Sequence, residues 1–323
     1  MGDADELTKV FLADVERIAD DFIECFGLAF TKDVPSLSCS LYRWLEFVHL
    51  RYVEPIPRSI HFSRGFWRRV PGSERLAVDH FVHHVMQGED INPYQGKGLS
   101  RHDISGRKQA TRTDLLLADF GIHHFHLTDK VIPLGRAYSQ RSNWMLFAVV
   151  RKNALLCVDV QRHPRGEGFA QKGVLEIAIK NWPQAFAQYE AKGVTGGDWS
   201  PAEIDHMRKH GGNMLHKIGS RVYGCLGGGL TSAGTPLLVH KISDCIQREI
   251  EDLARQFVDP QGAPAKLRRD DGILNPNFHV VLTPEGAAVH EESVRTGWPL
   301  SGWPGIVLLA PQWAIARLAA SAQ

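Results

Sequence analysis

Apolar residues recur near the start of the chain at Leu7, Phe11, Val15, Ile18, Phe22 and Phe26, spaced four, four, three, four and four apart. That spacing marks one face of a helix, so an amphipathic helix is predicted from Leu7 to Phe26. A second helix is predicted from Ser73 to Met86, with Ser73 as N-cap and Gly88 just past its end. Between the two, 38–69 is rich in aromatic and basic residues, and the pattern assigns it no element. From 94 to 112 the chain again lacks a period and carries five Lys or Arg against one acid, which reads as a mobile basic loop.

The pattern then turns to strands. They are predicted at Gly121 to Leu127, Trp144 to Arg151 and Ala154 to Gln161, the last two separated only by Lys152-Asn153 and so joined as a tight hairpin. Trp144 to Val150 is apolar on both faces, as a central strand is. A helix follows from Gly173 to Asn181 and ends at Trp182-Pro183, because proline disfavours helix in the residue before it. Pro201 to His210 is a predicted helix with Ser200 at the N-cap, and Ile242, Ile246, Ile250, Leu253 and Phe257 mark a longer one. Phe278 to Leu282, Ala287 to His290 and Ile306 to Leu309 are expected strands. The expected fold class is α/β (α+β): an N-terminal helical segment, a central antiparallel sheet with hairpin and flanking helix, and a C-terminal α+β region. With a glycine-rich connection at Gly193 to Ser200, the expected segments are 1–113, helical and basic-aromatic; 114–192, a histidine-rich sheet; and 193–323.

Composition narrows the classes. A chain of 323 residues that is 43% hydrophobic can bury a large core, which argues against disorder. Its 37 Lys and Arg against 36 Asp and Glu argue against a histone-like protein taken as a whole, so any nucleic-acid surface must be local. The five cysteines, Cys25, Cys39, Cys157, Cys225 and Cys245, form no CxxC pair, and neither a disulfide framework nor a zinc ribbon is indicated. No apolar run approaches the roughly 20 residues of a membrane span, and the first residues are acidic where a secretory signal is basic. A cytoplasmic protein without a membrane partner is expected.

The candidate chemistry lies in Ile122-His123-His124-Phe125-His126-Leu127, within a chain that holds 16 histidines. Strand alternation puts His124 and His126 on one face and His123 with Phe125 and Leu127 on the other, so His123 reads as a core residue and the other two as a site. The same alternation groups Leu155, Cys157, Asp159, Gln161 and His163 on one face of the third strand. Two imidazoles and a carboxylate on adjacent strands suit acid–base catalysis, since imidazole titrates near neutral pH and a carboxylate fixes its tautomer. The same trio, His124, His126 and Asp159, also suits a divalent transition metal.

Other features are weaker. His80 and His84 are four apart on a predicted helix, a metal-like spacing without an HExxH motif. The stretch 58–69 contains Arg58, Arg64, Trp67, Arg68 and Arg69 and no acid; together with Lys97, Arg101, Arg107 and Lys108 it has the composition of a single-strand nucleic-acid surface. Gly227 to Thr235 fails the phosphate-loop pattern because Thr235 stands where Lys is required, so a structural turn is expected there.

The order helix, strand, hairpin, with Arg141, Arg151, Arg162 and His163 flanking the strands, resembles the small RelE-type toxin fold of bacterial toxin–antitoxin systems over residues 114–182. That resemblance implies metal-independent RNA cleavage by basic and histidine side chains. Three readings stand at this point. One is an endoribonuclease of toxin or defence type with no cofactor, in which His124 and His126 are acid and base, Asp159 orients an imidazole, and Arg141 and His163 stabilise the phosphate. A second is a metal-dependent hydrolase or nuclease on the same ligands. The third is a non-catalytic protein that binds RNA, other nucleic acid, or a protein partner or inhibitor.

Overall fold

The computed structural model describes residues 2–130, 132, 137–140, 142–164, 166–262, 264–265, 270, 276–292 and 296–321. Internal contacts divide the chain into two units, Leu50–Leu237 and Met1–His49 with Leu238–Gln323. The segment limits expected after 113 and after 192 both fall inside the first of these.

The Leu50–Leu237 unit is built on a four-stranded sheet of β1 (Ser59–Phe62), β2 (His123–His126), β3 (Trp144–Val150) and β4 (Ala154–Arg162), in the order β1-β4-β3-β2. As the pattern predicts, β3 and β4 form a hairpin around Lys152-Asn153, and β2 pairs antiparallel with β3. The sheet is mixed rather than purely antiparallel: β1, from the stretch to which the pattern assigned no element, runs parallel to β4. Four residues are too few for alternation to declare itself in a sequence.

Helices cover both faces, so the two inner strands are apolar on both sides. On one face Met145, Phe147, Val149, Leu156 and Val158 pack with Leu116 and Phe120 of the Leu115–Phe120 helix and with Val174, Leu175 and Ala178 of the Gly173–Asn181 helix. On the other, Phe125, Leu146, Ala148, Leu155 and Cys157 pack with Val78, Phe81 and Val85 of the Arg75–Gln87 helix. That helix ends at Gly88 (φ +74), as expected, but Ser73 does not cap it; its hydroxyl bonds Glu74 (3.1 Å) in the preceding 3-10 turn.

The segment 94–112 is not the bare loop its composition suggested. It contains the helical turns Gly98–Arg101 and Gln109–Thr111, and Ile104 and Ser105 are fully buried. Asp103 organises the turn by accepting from the Ser105 amide (2.9 Å) and hydroxyl (2.8 Å). The Pro201–Lys209 helix begins with Ser200 in a capping box with Glu203, and a small ribbon of β5 (His216–Ile218) and β6 (Arg221–Tyr223) follows. The glycine run is indeed a structural turn. Gly227 and Gly229 donate to the carbonyls of Asp119 (3.0 Å) and Ala118 (2.9 Å), and a Cβ on Gly227 would lie 1.9 Å from the Leu117 carbonyl oxygen.

The other unit joins the Gly2–Cys25 helix, most of the Leu237–Val258 helix, and an antiparallel meander of β7 (Phe278–Thr283), β8 (Gly286–Glu291) and β9 (Thr296–Pro299). Phe22 stacks on Trp44 at 4.4 Å, and Phe11 meets Phe257 edge-on at 6.1 Å. The run Ile306 to Leu309 is helical, within Pro304–Leu309, and not the expected strand; Pro304 stands in the first turn, where its fixed φ starts a helix. No helix among the described residues is long and apolar enough to cross a membrane.

Candidate acid–base cleft

The register explains where the histidines point. His124 pairs with Phe147 and His126 with Met145, so both rings lie on the face of those two apolar residues, opposite Phe125 and Leu127. β2 has a strand on one side only, and the residues around it enclose a cleft of about 430 Å³. His102, His123, His124, His126 and His163 all line it, with Arg51, Lys97, Asp114, Phe169 and Arg208. His123 lies on the opposite strand face but still borders the cleft, being half-buried beside the open edge.

Aromatic contacts gather three of these rings. His126 and His163 stack at 5.7 Å, and Phe169 lies 5.2 Å from His124 and 5.8 Å from His163. His163 leaves β4 with its amide bonded to the Asn143 carbonyl (2.7 Å), and its Nδ1–H donates to the Pro164 carbonyl (2.9 Å). A carbonyl only accepts, so Nδ1 carries a proton and Nε2 is the nitrogen that exchanges one.

Behind His124 stands Asp114, its Oδ2 3.6 Å from Nδ1. Asp114 is held by local structure: as N-cap of Leu115–Phe120 its Oδ1 accepts from the Leu117 amide (3.1 Å). Burial pushes its carboxyl up, but the His124 ring, the Arg51 guanidinium, the Leu117 amide and His102 together bring it below the usual carboxylate range. Burial holds His124 below the ordinary histidine value despite Asp114, with His163 and Arg51 acting in the same direction as burial. His123 is lowered to about 4, chiefly by burial. The pair at neutral pH is therefore a carboxylate beside an uncharged imidazole. Arg51 donates from Nη1 to the Gly98 carbonyl (3.1 Å) and from Nη2 to Nδ1 of His102 (2.9 Å). Guanidinium only donates, so His102 keeps a lone pair on Nδ1 and a proton on Nε2.

Asp159 does not join the histidines. A β-bulge leaves Val158 unpaired, so Asp159 pairs with Phe147 and Gln161 with Met145, which moves them from the expected face of Leu155 and Cys157 to that of His124 and His126. Asp159 is nevertheless two strands away from His124, roughly 10 Å at the usual strand spacing. Its carboxylate is taken by Arg69 Nε (2.7 Å) and Gln161 Nε2 (2.8 Å). Asp159 can thus neither orient His124 nor complete a metal site with it. Among the described residues no three His, Cys, Asp or Glu side chains stand together as a metal-ligand set. Nε2 of His80 and Nε2 of His84 lie 3.2 Å apart, and His84 Nδ1 pairs with Glu89. Arg141 lies outside the described residues.

The basic-aromatic stretch is largely structural. Buried Arg58 donates to the carbonyls of Glu54 (2.7 Å), Ile56 (3.1 Å) and Arg151 (3.0 Å), Arg69 is committed to Asp159, and half-buried Trp67 packs against Phe62 and Phe66. Arg64 and Arg68 are its exposed cations. Of the later basic residues Lys97, Arg101, Arg107 and Lys108 are exposed, and of these four Lys97 borders the cleft. Burial, with Asp119 nearby, pushes the Cys225 thiol up to about 12.

Sequence reasoning passed over Asp114, Arg51, His102, Phe169 and Arg208. Asp114 alone had a visible signal, an Asp immediately before Leu-Leu-Leu-Ala-Asp-Phe, which is an N-cap pattern. The others meet the histidines only through chain folding. No protein-family model, no curated protein and no solved structure matches this chain.

Proposed function

We propose that the protein is a nucleic-acid-processing enzyme, an endoribonuclease that cleaves RNA by histidine acid–base chemistry without a metal. The observation that carries this reading is the uncharged His124 backed by the Asp114 carboxylate in one cleft with His126 and His163. His124 takes the proton of a ribose 2′-hydroxyl at Nε2, and Asp114 stabilises the imidazolium that forms. The 2′-oxygen attacks phosphorus, the bond from phosphorus to the 5′-oxygen breaks, and His163 Nε2–H protonates the departing oxygen. The products are a 2′,3′-cyclic phosphate and a 5′-hydroxyl. His126, 7% exposed and stacked on His163, holds that ring in place. Arg51 and Lys97 supply positive charge for the phosphorane-like transition state. The RelE-type resemblance over 114–182 and a cytoplasmic location agree with this reading.

The test is cleavage of a short RNA in EDTA, beside the same sequence carrying 2′-deoxyribose. Cleavage of the RNA alone with a cyclic phosphate product is expected, falling roughly 100-fold or more in His124→Ala and His163→Ala, the usual contribution of a positioned acid or base. Intact RNA after incubation with folded wild type overturns the proposal, and so does wild-type cleavage by folded His124→Ala. Activity abolished by EDTA and restored by a transition metal overturns its metal-independent part.

A further inference from the structure

One wall of the cleft is a guanidinium that the acid–base chemistry does not use. Arg208, from the Pro201–Lys209 helix, is 3% exposed and locked on two sides: Nε donates to Asp119 Oδ2 (2.8 Å) and Nη1 to the Phe169 carbonyl (2.9 Å). Its Cζ lies over the Phe120 ring, 4.1 Å from the centroid. Asp119 is fixed in turn by His216, whose Nε2–H donates to Oδ1 (3.2 Å). Yet the third guanidinium nitrogen, Nη2, is buried and makes no hydrogen bond, although Arg208 borders the cleft. The Thr113 hydroxyl is in the same condition: the residue is 3% exposed, borders the same cleft, and its Oγ1 has no partner.

Buried donors of this kind are regularly paired in proteins, so two on residues that line one cavity point to a ligand that supplies the acceptors. The surroundings say what sort. Arg208 is paired with Asp119 and Lys209 with Asp205, and Arg51 and Lys97 stand against Asp114 alone, so one positive charge is in excess and the cavity favours an anion. A tetrahedral oxyanion presents acceptors in several directions at once, which suits one rigidly held guanidinium nitrogen and a hydroxyl arriving from different elements better than a planar carboxylate does. We infer that Arg208 Nη2 and the Thr113 hydroxyl form a phosphate-anchoring subsite separate from the histidines. On the ribonuclease reading, on which this part rests, the subsite holds a phosphate neighbouring the scissile one, so the substrate is an oligonucleotide of at least two phosphates. Because Asp119 and the Phe169 carbonyl already immobilise the guanidinium, it binds without first being ordered.

Isothermal titration with inorganic phosphate at constant ionic strength, beside acetate, tests the subsite without any RNA. Saturable phosphate binding to the wild-type chain is expected, with acetate at least tenfold weaker. Arg208→Lys, which keeps the charge facing Asp119 but loses the third nitrogen, is expected to weaken phosphate tenfold or more. Thr113→Val, of nearly the same shape, is expected to weaken it several-fold, and it decides the matter if Arg208→Lys does not fold. Absence of saturable binding to wild type, equal binding of acetate, or unchanged phosphate affinity in a folded variant overturns the subsite. Phosphate binding as expected in a protein that leaves RNA intact instead sinks the ribonuclease reading and leaves the subsite standing.

Discussion

The Asp114 carboxylate stands 3.6 Å from Nδ1 of His124 while its other oxygen accepts from the Leu117 amide. One side chain thus caps a helix and faces an imidazole, and substitution separates the two roles. Asp114→Asn keeps a good N-cap, so its melting temperature should stay close to wild type, whereas Asp114→Ala should cost about 1 kcal/mol. Both remove the charge that raises His124, so the His124 ring, followed by NMR, should titrate lower still in either variant, and RNA cleavage should fall in both. An unmoved His124 titration in Asp114→Asn would show that the pair is not coupled.

Acid should weaken the fold through half-buried imidazoles. Burial lowers His123 to about 4, and His49, His124 and His240 are lowered as well, so the unfolded chain binds protons that the folded chain refuses. Stability is complete above the unfolded histidine value near 6.5 and is lost as pH falls towards about 4, where His123 titrates in the folded protein. Each unit of lowering is worth about 1.4 kcal/mol. Melting temperature should drop between pH 7 and 5, and His123→Gln should make that drop shallower; an equally steep drop in the variant would remove His123 as a contributor.

Asp159 belongs to the framework. Asp159→Asn should lower stability by about 1 kcal/mol, because it removes the charge that balances Arg69; Asp159 is 5% exposed, but the Arg69 side chain is 34% exposed and solvent screens the pair. RNA cleavage per folded molecule should be unchanged. A loss of turnover in fully folded Asp159→Asn would return that residue to the site.

The turn at Gly227 holds the helix that carries Asp114. Gly227→Ala would set a methyl group 1.9 Å from the Leu117 carbonyl oxygen and 2.5 Å from that of Ala118, and overpacking of this sort costs roughly 1–3 kcal/mol. Gly173→Ala, at the start of the Gly173–Asn181 helix with nothing within 4 Å of the new methyl, should be neutral or stabilising by up to about 1 kcal/mol. Thermal melts of the two variants check the contrast.

Much of the framework is local information and was legible before folding. The face made by Phe11, Val15, Ile18 and Phe22, the proline that ends Gly173–Asn181, and the two-residue Lys152-Asn153 turn each act within a few neighbouring residues. Alternation likewise sorted His124 and His126 from His123. The short apolar run 306–309 marks the limit of that information, because four residues fit a strand or a helix equally well and Pro304 decided the matter.

Which carboxylate faces His124 was beyond it. A bulge at Val158 changes the face of every later residue in β4, and the order β1-β4-β3-β2 leaves Asp159 two strands from His124 but beside Arg69. Asp114, Arg51, His102 and Arg208 reach one cleft from separate stretches of chain. Residue type and spacing determined that a histidine pair would project from one face of a strand. Only tertiary structure decided its partners, because electrostatic and hydrogen-bond coupling depends on distances of a few ångströms that sequence separation does not encode.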